Sequence, residues 1–79
     1  MATRDFQRAK DVLARNMRVQ RAIQELSQLD LADASGTTQR TVSRIEARKA
    51  NPTVETLSKI AAALRVEVDA LFTKVEKGK

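Results

Sequence analysis

Seventy-nine residues leave room for one small core and little beside it for an enzyme cleft. An apolar share of 42% argues against disorder throughout, while the absence of Cys and His removes disulfides, thiolate chemistry, the common zinc ligands and the usual neutral-pH acid–base. The net charge of +5 is uneven, with balances of +4 over residues 1–21, −3 over 22–36, +3 over 37–53 and +1 over 54–79, and a concentrated basic middle is the footprint of a polyanion binder.

The first predicted helix spans about residues 4–24, with Thr3 or Asp5 supplying the start and no Gly or Pro inside. Phe6, Ala9, Leu13 and Met17 form its core stripe. Val12, Val19 and Ile23 make a second, narrower stripe, which is either broader burial or a contact with another chain. Ser27 then caps a short second helix, Asp30 falls in its first turn, and Gly36, tolerant of a left-handed backbone, ends it after about Ser35.

The third helix starts after Thr38 and runs to about Ala47. At 100° per residue, Gln39, Arg40, Ser43, Arg44 and Ala47 share one arc, Thr41, Val42 and Ile45 the opposite one, and Glu46 the boundary. A merely solvated face would mix Lys with Glu; this one offers long donors separated by small residues and almost no acid. Arg can grip guanine O6 and N7 with two donors, and Gln can do the same for adenine. Small Ala32 before the turn and Gly36 at it allow two helices to pack closely, which is the helix-turn-helix arrangement.

A polar loop, Arg48 to Pro52, leads to a fourth helix capped by Thr53 and ending at Leu64, with Leu57, Ile60, Ala61 and Leu64 inward. A fifth, Val66 to Val75, would bury Val68, Leu71, Phe72 and Val75, and the tail 76–79 would fray. The expected fold is all-α, a compact five-helix bundle in a single domain over 1–79, with the helix-turn-helix at about 28–47. No run is long and apolar enough for a membrane span and no signal peptide is apparent, so the expectation is a soluble, intracellular protein without membrane, metal or cofactor partners.

The series Ser27-Gln28-Leu29-Asp30-Leu31-Ala32, Gly36, Thr41-Val42-Ser43-Arg44-Ile45-Glu46 and Asn51-Pro52-Thr53-Val54-Glu55-Thr56-Leu57 resembles the Cro/cI-type helix-turn-helix family, also called XRE, from about Leu13 to Phe72. The resemblance implies a lambda-repressor-like bundle that binds double-stranded DNA, in the cytoplasm of a bacterium or for a phage, in association with the nucleoid. It implies base contacts from Gln39, Arg40, Ser43 and Arg44, and phosphate contacts from Gln28, Thr38, Arg48, Lys49 and Asn51. It further implies a structural ion pair between Arg21 and Glu46, and a homodimer joined around Val68 to Val75. Phage repressors, restriction–modification controllers and antitoxins share the pattern, so a protein-interaction module with a toxin partner, served by Val12, Val19 and Ile23, is the alternative to a transcriptional regulator. This chain has Glu25, Arg48 and Arg65 where the family usually has Gly, and Gln20 where it commonly has Leu.

Overall fold

The computed structural model describes residues 2–74. Four α-helices, α1 (Ala2–Gln24), α2 (Gln28–Ser35), α3 (Gln39–Glu46) and α4 (Val54–Leu64), are followed by one 3-10 helix, Val68–Phe72. There is no strand among the described residues. The second helix packs against α3 and α4, while α1 lies across α3, α4 and the 3-10 helix.

Local chemistry sets the starts. Ser27 accepts a hydrogen bond from the Asp30 N–H at 2.9 Å, and the Asp30 carboxylate accepts from the Ser27 N–H at 3.0 Å, a reciprocal capping box. The Asp30 carboxyl is held below the ordinary carboxylate range by the Ser27 backbone first and its side chain second. Thr38 caps α3 and Thr53 caps α4 through their hydroxyls, each accepting at 3.1 Å.

All four α-helices end in the same closure. A left-handed residue stands at Glu25, Gly36, Arg48 and Arg65, with φ of 59°, 71°, 62° and 63°. The next N–H reaches back: Leu26 to the Arg21 carbonyl, Thr37 to Ala32, Lys49 to Arg44 and Val66 to Ala61. Only one of the four is Gly, and a Cβ there would meet nothing within 4 Å, so Gly36 serves conformation rather than space. At the other three the chain accepts backbone strain of roughly 1–2 kcal/mol each. Arg65→Gly is therefore expected to stabilise the fold by about 0.5–1 kcal/mol, since that relief exceeds the entropy cost of Gly. A denaturant midpoint unchanged or lower would contradict this.

Leu13, Met17, Leu31, Ala32, Val42, Ile45, Leu57, Ile60, Ala61, Leu64 and Leu71 form the buried cluster. The expected stripe on α1 is corrected at its start: α1 begins at Ala2, burial begins only at Leu13, and Phe6 is 45% exposed with the Lys10 ammonium 5.0 Å from its ring. The second stripe is not absorbed into the core either, because Val12 is half-buried while Val19 and Ile23 stay exposed.

The expected fifth α-helix is also corrected. The segment is a 3-10 helix of five residues whose Glu67 makes no side-chain cap. Buried Asn16 on α1 supplies the reason: its Nδ2 donates to the carbonyls of Leu71 and Thr73 at 2.9 Å each, with Ala70 at 3.4 Å. Those carbonyls are anchored to α1 instead of starting further α-helical turns. Leu71 is buried, Val68 half-buried and Phe72 exposed, not inward; Val75 and the 76–79 tail lie outside the described residues.

Candidate nucleic-acid interface

Capping and the Gly36 turn bring α2 and α3 together so that Val42, Ile45 and Glu46 are buried and Thr41 is half-buried. The opposite side of α3 is left open: Gln39, Arg40, Ser43, Arg44 and Ala47 are all exposed. The side chains of Gln39, Arg40 and Ser43 have no hydrogen-bond partner among the described residues. Arg44 Nη2 donates to the Lys49 carbonyl at 2.7 Å, which draws this arginine along the helix toward the following loop.

Glu46 is the single acid between residues 37 and 53, and it is buried. Its carboxylate receives both forks of Arg21, Nε at 2.7 Å and Nη2 at 2.8 Å. Arg21 Nη1 donates to the Leu26 carbonyl at 2.9 Å, and Arg18 Nη1 to the Glu46 carbonyl at 2.9 Å. The hydrogen bonds to Glu46 raise the Arg21 guanidinium above its ordinary value, outweighing burial, so Arg21 keeps its charge. This arrangement has two consequences: α3 is fixed to α1 at its C-terminal end, and its outer face presents only positive charge.

The residues expected to hold phosphates are not all equally disposed. Thr38 is exposed at the start of α3, although its hydroxyl is engaged with the Thr41 N–H and hydroxyl. Lys49 and Asn51 are exposed in the loop after α3. Gln28, half-buried at the start of α2, gives its Nε2 to Glu46 Oε1 at 3.2 Å. Arg48 is turned toward α1, with Nε 3.1 Å from Asp11 Oδ1.

Sequence reasoning missed Asp11, Arg18, Asn16 and Gln24, the last donating to the Leu64 carbonyl at 2.7 Å. Arg18 could have been suspected from its place three residues before Arg21, on the same side of α1. The other three hold partners far along the chain, and no local pattern announces them. No group of three or more acidic side chains that could hold a metal occurs among the described residues, and no helix among them is long and apolar enough to cross a membrane.

Comparison with known proteins agrees with this geometry. A helix-turn-helix family profile matches residues 17–71. The chain is 38% identical over 69 residues to control protein C.SmaI of Serratia marcescens, covering 87% of this chain and 82% of that one. Among solved structures it is similar to a hypothetical transcription factor, NHTF, from Neisseria, with a TM-score of 0.80, 35% identity, and coverage of 82% of this chain and 75% of the other. It is also similar to the restriction–modification controller protein C.AhdI of Aeromonas hydrophila, with a TM-score of 0.77, 30% identity, and coverage of 80% and 96%. Together with the exposed basic face of α3, these likenesses identify the chain as a member of the Cro/cI-type (XRE) helix-turn-helix family of DNA-binding transcriptional regulators.

Proposed function

We propose that this chain is a regulator of the restriction–modification controller kind, acting in the cytoplasm on nucleoid DNA, and that it binds a roughly palindromic operator as a homodimer. One observation carries the reading: Glu46 is buried against Arg21, leaving Gln39, Arg40, Ser43 and Arg44 together on an exposed face without an acid. Residues 1–79 are taken as one DNA-binding unit. The third helix enters the major groove, where Gln39, Arg40 and Arg44 read base edges and Ser43 lets the helix approach closely. Thr38, Lys49 and Asn51 hold phosphates; Gln28 joins them by exchanging its present partner, and Arg48 joins through guanidinium N–H groups other than the Nε that faces Asp11.

Dimerisation follows from the short reach of one recognition helix and from leftover apolar surface. Val19 lines one groove with Val66 and Ala70, and Ile23 and Phe72 remain exposed at 68% and 40%. A partner related by a two-fold axis would read a second half-site about 34 Å away. The same surface serves the alternative, a module whose main partner is a toxin. Mass measurement on the chain purified alone separates them: a dimer that retards duplex DNA supports the regulator, and a monomer made stable only by co-expression supports the module.

Phosphate contacts are recognised by salt dependence. Lys49→Gln is expected to reduce the slope of log affinity against log salt by about one, equally on every sequence. An unchanged slope would remove Lys49 from the footprint.

A further inference from the structure

The loop after α3 is tied to Arg44 at both ends of one residue. The Lys49 N–H donates to the Arg44 carbonyl at 2.9 Å, and the Lys49 carbonyl accepts from Arg44 Nη2 at 2.7 Å. Rotation of the peptides around Lys49 would therefore swing the acceptor that holds the Arg44 arm. The setting of those peptides depends on Arg48, which occupies the left-handed region at φ 62° although it carries a Cβ. Its guanidinium is held by Asp11, Nε to Oδ1 at 3.1 Å.

Asp11 belongs to a row. At 100° per residue, Asp11, Arg18 and Arg21 fall within an arc of about 80° on α1. They hold, in turn, Arg48, the Glu46 carbonyl and the Glu46 carboxylate. Arg18 and Arg21 lie within residues 17–71, the segment shared with the family; Asp11 precedes it. The N-terminal part of α1 thus adds one more grip on the recognition helix, placed just where the backbone is strained.

We propose that Asp11 is a positioning residue for base recognition: through Arg48 and the Lys49 carbonyl it fixes the arm with which Arg44 reads its base pair. This rests on the reading role given to Arg44 above. A single hydrogen bond to Lys49 leaves the other N–H groups of the guanidinium, without protein partners among the described residues, available for a base edge. An arginine arm tied to the Lys49 carbonyl must give up that bond to swing toward a wrong base pair, a penalty that the matching pair does not incur.

The test compares wild type and Asp11→Asn on a selected operator and on operators with single base pairs exchanged. Arg44→Ala identifies the pair that Arg44 reads, as the one where preference collapses. Asp11→Asn should lower discrimination at that pair by about two- to fivefold, the scale of an exposed ion pair. It should leave discrimination unchanged at pairs sensitive to Arg40→Ala, and Asp11→Glu should retain the wild-type preference. In an Arg48→Gly background Asp11→Asn should have no further effect. The Asp11 side chain is 63% exposed, so the fold tolerates these changes, and the unfolding midpoint checks it.

Unchanged discrimination in Asp11→Asn overturns the proposal. So does a uniform rise in affinity on every sequence, which would make Asp11 only a repulsive charge near DNA. If Arg44→Ala leaves every base preference intact, the reading role of Arg44 fails and this inference falls with it. If Arg44→Ala behaves as expected and Asp11→Asn is silent, the inference alone fails.

Discussion

Glu46→Ala is expected to destabilise the protein by roughly 3 kcal/mol, the scale of breaking a buried ion pair from one side. The substitution leaves Arg21, whose side chain is 18% exposed, without the carboxylate that receives two of its N–H groups. It also leaves Gln28 Nε2 without its acceptor. A chain of this length has a total stability of roughly 4–12 kcal/mol, so the loss would be a large share and would lower Tm by more than about 10 °C. Removing both partners together, as Arg21→Met with Glu46→Leu, should restore most of it, because no buried charge is then orphaned. Thermal unfolding of the wild type, Glu46→Ala and the double variant decides: a loss below about 1 kcal/mol in Glu46→Ala would show the pair to be incidental.

Arg44→Ala is expected to weaken binding at the operator by about 1–3 kcal/mol, roughly 5- to 150-fold, with little change on random DNA. The difference between the two DNAs is the informative quantity. Arg44 lies on the exposed arc of α3, and its guanidinium leans on the Lys49 carbonyl. Were it a phosphate contact, affinity would fall equally on every sequence and the salt slope would decrease by about one. That outcome would move Arg44 from base reading to backbone grip and leave Gln39 and Arg40 as the specificity carriers.

The two substitutions probe two sides of one helix, and the division between them is what the sequence shows most plainly. Period alone separates Val42 and Ile45 from Gln39, Arg40, Ser43 and Arg44, and the structure buries the first set and exposes the second. Capping chemistry is equally legible: Ser27, Thr38 and Thr53 all stand where a hydroxyl before a helical run places them. The closures at Glu25, Arg48 and Arg65 were visible as departures from family glycines, and each of these residues carries a positive φ.

What failed is long-range. Phe6 and Leu13 satisfy the same stripe, yet Phe6 is 45% exposed and Leu13 only 3%, because periodicity identifies a face without telling how far along the helix a neighbour covers it. The segment ending at Phe72 has the spacing of an α-helix and becomes a 3-10 helix because Asn16, 55 positions from Leu71, takes its carbonyl groups. The place of Arg48 in the loop points to the phosphate grip but says nothing of its contact with Asp11, which can be read only once α1 lies beside α3. Side chains whose partners lie tens of residues away leave no local signature.

The role proposed for the exposed face of α3 is to read sequence. Selection of bound sites from random duplex DNA tests it most directly. Two short half-sites related by a two-fold axis should be enriched, with centres about 34 Å apart, near one turn of the duplex. Arg44→Ala should lose preference at one position in each half-site and keep the rest. Recovery of no preferred sequence, with retention governed by salt alone, would contradict it.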